Sequence, residues 1–327
     1  MKIETSAFGK IFLTGEYMAL EGGRSIVLKT PQKTKILLTE NHGPSNLFTT
    51  SMSKGSYPFE IDEELDIVWL NDNPMEIGSI LKDAVKKYGK HFTNKSIHID
   101  TNDFFSKERK IGIGSSAAVS VSITEALNQL FGSELEPKDI IDYALKIHSK
   151  SQKSKGSGFD VITSYLGAKA VSCRLQDRGE YEYRQILLPE EIIVIAVLNN
   201  SSASTSNMID KYQSAKYKHP KYFTKQSKIM KRQLEFIYSS ILKKDSQLML
   251  KNLSKYNDLL FDLDSKFQVG IFNCHHEMME LAKSMNIFYK PSGAGGGDLG
   301  LIVSDDKVKI NLICEKLEEK GISFFEV

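Results

Sequence analysis

The sequence predicts mixed strands and helices folded as two domains, and three observations carry that reading. At 327 residues the chain is long enough for more than one core. Its first half interleaves short apolar, strand-like runs with helical stripes and glycine turns, whereas its second half is mostly helical. After Pro189 the run Ile192 to Leu198 is continuously apolar, as expected of a buried strand that begins a new core. The boundary is therefore placed near Pro189, giving domains 1–188 and 189–327.

The composition narrows the class. Hydrophobic residues make up 41% and charged residues 26%, the balance of a soluble globular protein. A formal net charge of +2 gives no case for a nucleic-acid binder. No apolar run approaches the roughly 20 residues of a membrane-spanning helix. Met1 to Thr5 lacks the apolar core of a signal peptide. Three widely spaced cysteines (Cys173, Cys274, Cys314) fit a reducing compartment and argue against a disulfide frame or a zinc site. His275-His276 reads as a pair on a helix surface. The expectation is a cytoplasmic protein with neither nucleic-acid nor membrane partners.

Taken in order, Ile3, Lys10 to Leu13 and Lys33 to Leu38 read as strands, with a turn-rich loop from Gly15 to Gly23 between them. Residues 41–60 carry Gly43, Pro44, Gly55 and Pro58 and read as a loop or an irregular hairpin. Pro74 to Tyr88 reads as a helix, with Ile77, Leu81, Ala84 and Val85 on one face, and Ser96 to Asp100 as a strand. A helix follows from Ser116 to about Phe131, on which Val119, Ile123, Leu127 and Leu130 form one stripe. Pro137 suits the first turn of the next helix, which contains Ile140, Ile141, Ala144, Leu145 and His148. Gly156-Ser-Gly158 stops it, and Phe159-Asp160 opens a short helix. Gly167 to Arg174 and Tyr181 to Leu188 read as paired strands.

Lysines dominate residues 211–244, which read as a solvated helix face or as an attractor of anionic substrate. Helices are expected over Lys251 to Leu263, Asn273 to Ser284 and Lys307 to Lys320. Strands are expected at Leu301 to Ser304 and Ile322 to Val327.

Four segments are able to carry chemistry. Lys110-Ile-Gly-Ile-Gly-Ser-Ser-Ala-Ala118 puts a glycine loop at the start of a helix. The first turn of a helix leaves N–H groups unpaired, and its dipole favours negative charge there. Gly112 and Gly114 let the backbone approach a ligand closely. Ser115 and Ser116 add hydroxyls that cap the helix or bind a magnesium ion beside a phosphate. The plainer alternative is a capped helix after a turn. No Gly-Lys-Ser/Thr follows, so the loop is not a Walker A motif. Gly112-x-Gly114-x-x-Ala117 loosely matches a dinucleotide loop, with Glu134 and Glu136 as ribose-binding acids, but the lead-in from Lys107 to Lys110 is charged where a buried strand is required.

Gly293-Ala-Gly-Gly-Gly297 puts four glycines in five positions, for a tight turn or a close approach to a ligand; Asp298 follows it. Asp160, just after a glycine turn, is placed to cap a helix, to orient a nucleophile or to take its proton. Lys10 is either a salt-bridge partner or the neutraliser of a transferring phosphoryl group.

In this order and at these spacings the segments resemble the GHMP kinases, which include galactokinase, homoserine kinase, mevalonate kinase and phosphomevalonate kinase. Gly9-Lys-Ile-Phe-Leu-Thr-Gly-Glu16 resembles motif one, Lys110 to Ala118 the GLGSSAA motif two, and Ser292 to Gly300 motif three. The phosphomevalonate kinase branch is resembled most. Gly15-Glu16-Tyr17 lacks the histidine that mevalonate kinases usually carry after the glutamate. Gly156-Ser-Gly-Phe-Asp-Val161, Lys290 to Asp298, Ser202-Ala-Ser-Thr-Ser206, His148 and Gln152 are also similar to that branch. Departures are Phe8 for a usual proline, Glu108 for a proline of motif two, and Leu299 for a frequent cysteine. None removes a charged group.

The resemblance implies an α+β fold in two domains, the first like the ribosomal S5 second-domain type and the second ferredoxin-like. It implies ATP and Mg2+ as cofactors, with the γ-phosphoryl group passing to 5-phosphomevalonate. Lys110, Gly112, Gly114, Ser115, Ser116 and Ala117 would hold the nucleotide, Ser116 also serving the metal. Lys10 and Asp160 would be catalytic. Lys10, Tyr17, Ser157, Ser202, Ser204, Thr205, Ser292, Gly293, Ala294 and Gly295 would meet the acceptor. Mevalonate kinase, another small-molecule GHMP kinase and a non-catalytic GHMP-fold sensor are the alternatives. The small molecules are the expected partners, and a monomer or a homodimer is left open.

Overall fold

The computed structural model describes residues 1–72, 74–86, 92–106, 109–132, 135–151, 156–177, 179–199, 204–297 and 299–327, with the backbone alone at 75–77. It forms two compact units, one of residues 1–10 and 30–167 and the other of residues 11–29 and 168–327. Two long strands, β1 (Lys2–Thr14) and β2 (Ser25–Glu40), contribute to both. The sequence signals for β1 are split, because Ile3 and the run from Lys10 are joined by alternating Thr5 and Ala7 that reads only weakly. The burial alternation is nonetheless continuous from Lys2 to Thr14.

In the first unit β2, β3 (Asn46–Thr50), β4 (Ser53–Ile61), β5 (Ile67–Trp69) and β6 (Lys95–Asp100) form a sheet in the order β2-β6-β3-β4-β5. Residues 46–61 are thus the hairpin alternative, with a register shift between Thr49 and Thr50. Strand β6 runs antiparallel to β2, and β3 runs parallel to β6. Period-two side chains Ile36, Leu38, Phe48, Ile97 and Ile99 are buried on the sheet. Helices α1 (Met75–Val85), α2 (Ser115–Leu130) and α3 (Pro137–Ser151) cover it. They supply Leu81 and Ala84 from α1, Val119, Ile123 and Leu127 from α2, and Ile147 from α3 to the same core. Tyr88, the expected end of α1, lies outside the described residues. The two-residue strands β7 (Phe105–Ser106) and β8 (Arg109–Lys110) pair just before α2, and α4 (Phe159–Leu166) follows α3.

In the second unit β9 (Ala170–Leu175) pairs with β10 (Tyr181–Ile186), and β9 pairs with Ser25 to Leu28 of β2. The compact units therefore divide the chain before this hairpin, upstream of Pro189. A four-stranded sheet has the order β12 (Phe288–Pro291), β13 (Leu299–Ser304), β11 (Ile193–Leu198), β14 (Phe324–Glu326). Helices α8 (His276–Ser284) and α9 (Lys307–Glu319) pack on it through Met278, Ala282, Ile313 and Leu317. The lysine-rich stretch folds as two helices, α5 (Thr205–Lys218) and α6 (Pro220–Leu242), because Pro220 occupies the first turn of the second. Met230, Leu234, Ile237 and Ile241 face inward from α6, and α7 (Ser246–Phe267) supplies buried Leu253 and Leu260. Histidine 275 is not on a helix surface: His275 is fully buried, held by Asn199 and Tyr289 through Nδ1 at 3.1 and 2.8 Å, and His276 alone is exposed.

A buried ion pair braces this unit. Lys290, fully inaccessible, donates from Nζ to Glu16 Oε1 and to the Pro291 carbonyl. The Tyr256 hydroxyl donates to the Glu16 carbonyl at 2.7 Å. Burial pushes the Glu16 carboxyl up, against the pull of the Lys290 charge. Tyr17, with a left-handed φ of 62°, donates its hydroxyl to the Ala294 carbonyl at 2.6 Å, and Ser292 Oγ donates to the Phe12 carbonyl at 2.8 Å. The turn after β1 and the glycine-rich loop before β13 are thereby fixed to each other.

Two stability outcomes follow. Leu127→Ala, at a fully buried site, should cost about 2–5 kcal/mol in urea unfolding, whereas Leu312→Ala on the exposed face of α9 should stay within about 0.5 kcal/mol. Lys290→Met should cost about 3–5 kcal/mol, because it strands a buried carboxylate. With its folded-state value raised, Glu16 in that variant contributes stability at low pH that is lost as pH rises through that value, so the penalty should be smaller at pH 5 than at pH 8. Adding Glu16→Leu should recover most of it.

Candidate active site

The first unit gathers Lys10, the glycine loop and Asp160. Lys10 sits on β1, and its N–H donates to the Ile113 carbonyl at 2.8 Å. That bond sets the lysine beside the loop. Gly114 caps α2 with φ 81° and ψ 41°, in the left-handed region where a side chain is strained. A Cβ there would lie 2.7 Å from Lys10 Cε and 3.4 Å from Nζ. The lysine side chain therefore crosses the loop in the space that the absent side chain leaves.

The helix that starts here has neither a capping side chain nor an acidic residue in its first turn. Ser115 and Ser116 do not cap it; they are its first two residues, and Gly114 is the cap. The physical reason is the left-handed turn, which places both serines inside the helix. Ser115 is buried, while Ser116 and the N-terminal end of α2 present positive potential to an anion. Lys110 ends β8 and is exposed; Gly112 is left-handed at φ 73°, and Ala117 is buried.

Asp160 reaches this place from α4. The helix cap is Gly158, φ 77°, so Asp160 lies within the first turn instead of capping it. Its Oδ1 accepts the Val161 N–H at 3.0 Å, and Oδ2 lies 3.6 Å from His148 Nε2. The same Nε2 is 3.2 Å from Ser116 Oγ. Burial raises the Asp160 carboxyl, but His148, Lys10 and the Val161 N–H outweigh it and hold the group below the usual carboxylate range. The Asp160 side chain keeps 21% of its surface accessible and that of His148 only 8%, so a ligand meets the carboxylate and not the imidazole. Ser157 Oγ accepts the Phe159 N–H at 3.5 Å in the turn before α4.

The second unit holds the remaining candidates. Tyr17 and Ser292 spend their hydroxyls on the main-chain bonds already described. Gly293 is left-handed at φ 69° and a Cβ there would meet nothing within 4 Å, whereas at Gly295, φ 76°, one would lie 2.4 Å from the Ile271 carbonyl. Only glycine fits that second position. Ala294 supplies the carbonyl that Tyr17 holds. Ser204 caps α5, its Oγ accepting the Asn207 N–H at 3.4 Å, and Thr205 opens the helix. Ser202, Gln152, Glu108, Glu134 and Asp298 lie outside the described residues.

Three residues with notable contacts were given no chemical role by the sequence. His148 reads as one more member of the inward stripe of α3, and only its polar atoms distinguish it from a core position. Glu16 and Lys290 carry charge within motif-like segments, but no local pattern announces that they pair with each other.

Among the described residues no group of three or more His, Cys, Asp or Glu side chains forms a metal centre. Ser116 and Asp160 are hard oxygen donors of the kind Mg2+ takes when phosphate oxygens and water complete its shell, so the residues fit a shared metal.

Residues 79–168 match the model of the GHMP kinases N terminal domain. A mevalonate kinase of Thermococcus sibiricus is 23% identical over 319 residues, 94% of this chain and 90% of the relative. A phosphomevalonate kinase of Saccharolobus solfataricus is 27% identical over 168 residues, 51% of this chain and 48% of the relative. The structure of Streptococcus pneumoniae phosphomevalonate kinase in complex with phosphomevalonate and AMPPNP superposes with a TM-score of 0.78 at 18% identity, covering 99% of this chain and 100% of that one. Residues 79–168 thus match the GHMP kinase N-terminal domain, in a chain whose α+β fold is similar over 99% of its length to that of the phosphomevalonate kinase structure.

Proposed function

We propose that the protein transfers the γ-phosphoryl group of ATP to (R)-5-phosphomevalonate, giving 5-diphosphomevalonate and ADP in the mevalonate pathway. The observation that carries this reading is Lys10 lying across Gly114 at an uncapped helix start, with Asp160 beside it. Phosphoryl transfer needs positioning and charge neutralisation more than covalent help. The loop from Gly112 to Ala117, with Lys110 at its edge, holds the nucleotide phosphates. Lys10 offsets the charge shared by donor and acceptor, and Asp160 orients the lysine or the acceptor. Mg2+, when bound through Ser116, neutralises phosphate charge. Tyr17, Ser157, Ser202, Ser204, Thr205, Ser292, Gly293, Ala294 and Gly295 belong to the acceptor side of this proposal.

The acceptor class is supported by the state of Asp160. A carboxyl held below its usual range is a weak proton acceptor. A phosphate monoester needs little such help, since its second pKa is about 6 and it is already anionic near neutral pH. A hydroxyl acceptor must lose a proton. The mevalonate kinase reading is kept because a relative of that name aligns over nearly the whole chain.

An assay of ADP release with mevalonate, phosphomevalonate, homoserine and galactose in parallel should give turnover chiefly with phosphomevalonate. Turnover with mevalonate alone would assign the alternative. Lys10→Met should lower kcat by about 10²-fold or more, the scale of losing a charge-stabilising group. Asp160→Asn should cost less than Lys10→Met; a larger loss for the aspartate variant would count against a phosphate acceptor.

A further inference from the structure

The imidazole of His148 sits behind the proposed reacting groups and has no part in the function proposed above. It projects from α3 to one residue of α2 and one of α4, and a single ring atom makes both approaches. Nε2 lies 3.2 Å from Ser116 Oγ and 3.6 Å from Asp160 Oδ2. The first distance is a hydrogen bond; the second is an electrostatic contact just beyond one. The tautomer follows from the neighbours. With the proton on Nδ1, the Nε2 lone pair would face a carboxylate held ionised. With the proton on Nε2, an N–H faces both oxygens. The two oxygens therefore select a form with the proton on Nε2, whether neutral or imidazolium.

That choice has two structural results. Oδ1 of Asp160 is already engaged by the Val161 N–H, so an N–H facing Oδ2 stops rotation of the carboxylate. Ser116 Oγ becomes an acceptor toward His148, which leaves its own O–H and its second lone pair for a ligand. Only 6% of His148 is accessible, so it acts through these two residues and not on a bound molecule.

We infer that His148 is a positioning residue, whose Nε2–H locks the Asp160 carboxylate and the Ser116 hydroxyl into one arrangement beside Lys10. This role rests on the kinase reading, and it names a third helix as part of the site.

The test uses the full chain and three variants. His148→Leu removes the donor and keeps the bulk. His148→Asn keeps polarity, but its amide is too short to reach where Nε2 lies. His148→Gln returns an N–H near that point. The expected result is a kcat lower by about ten- to hundredfold in the leucine and asparagine variants, the scale of a lost hydrogen bond to a charged group. KM for ATP, and the Kd of a non-hydrolysable ATP analogue measured by calorimetry, should change by less than about threefold, since the nucleotide does not touch the imidazole. His148→Gln should recover most of the lost kcat, which a purely packing role would not produce. If the leucine variant fails to fold, the asparagine and glutamine pair carries the comparison. Turnover by the unaltered protein with undiminished kcat in the asparagine variant overturns the positioning role alone. A loss in the glutamine variant equal to that of asparagine also overturns it. No turnover by the unaltered protein with any acceptor overturns the kinase reading and this role with it.

Discussion

The bond from the Lys10 N–H to the Ile113 carbonyl is the constraint on which the first unit's site depends. It joins a strand to a loop that has two left-handed glycines, and so decides what the lysine side chain crosses. Gly112 and Gly114 turn the chain into α2 without a capping side chain, leaving the helix dipole and first-turn N–H groups uncompensated. An uncompensated helix start next to a cation is costly for the protein by itself, because the two positive charges repel each other. An anion placed there would relieve that repulsion, which is the physical ground for proposing that the loop takes phosphates. Asp160 moderates the positive charge in the free protein. Its own depressed protonation is the counterpart of that role.

Much of this was legible in the sequence, for reasons that differ by element. Helix α2 was readable almost to its ends because its apolar stripe and the glycine turn that opens it agree. The pairing of β9 with β10 was readable from two alternating runs separated by polar residues. Strand β5 and strand β12 were not, being three and four residues long, too short to show a period. Of the two roles read for Ser115 and Ser116 the capping one fails, because hydroxyl residues after a turn favour the cap position in general, while here the left-handed glycine takes it. His275 was misread as exposed for a related reason. A histidine at a helix start looks solvated until Asn199 and Tyr289, 76 and 14 residues away, are seen to meet its Nδ1. Long-range hydrogen bonds of this kind leave no local trace. Lys10, Gly114, Asp160 and His148 all stood out in the sequence by their place in the motifs; that one ring nitrogen of His148 meets both Ser116 and Asp160 was not legible.

Two of the lysine–carboxylate relationships among the described residues show how solvent access separates an enclosed pair from a screened one. Glu16 and Lys290 are both fully enclosed, and each has the other as its charged partner. Removing that partner leaves an uncompensated charge in a medium that cannot solvate it, so the pair is committed and cannot exchange for a ligand. Lys10 and Asp160 interact through space, but Asp160 remains partly open to solvent and its oxygens are steadied by neutral N–H donors as well as by charge. Solvent screening lowers the cost of parting them. Asp160 keeps the Val161 N–H whatever the lysine meets. The same two residue types thus form an enclosed brace in one unit and a solvent-screened relationship in the other, and what separates them is whether water reaches the oxygens.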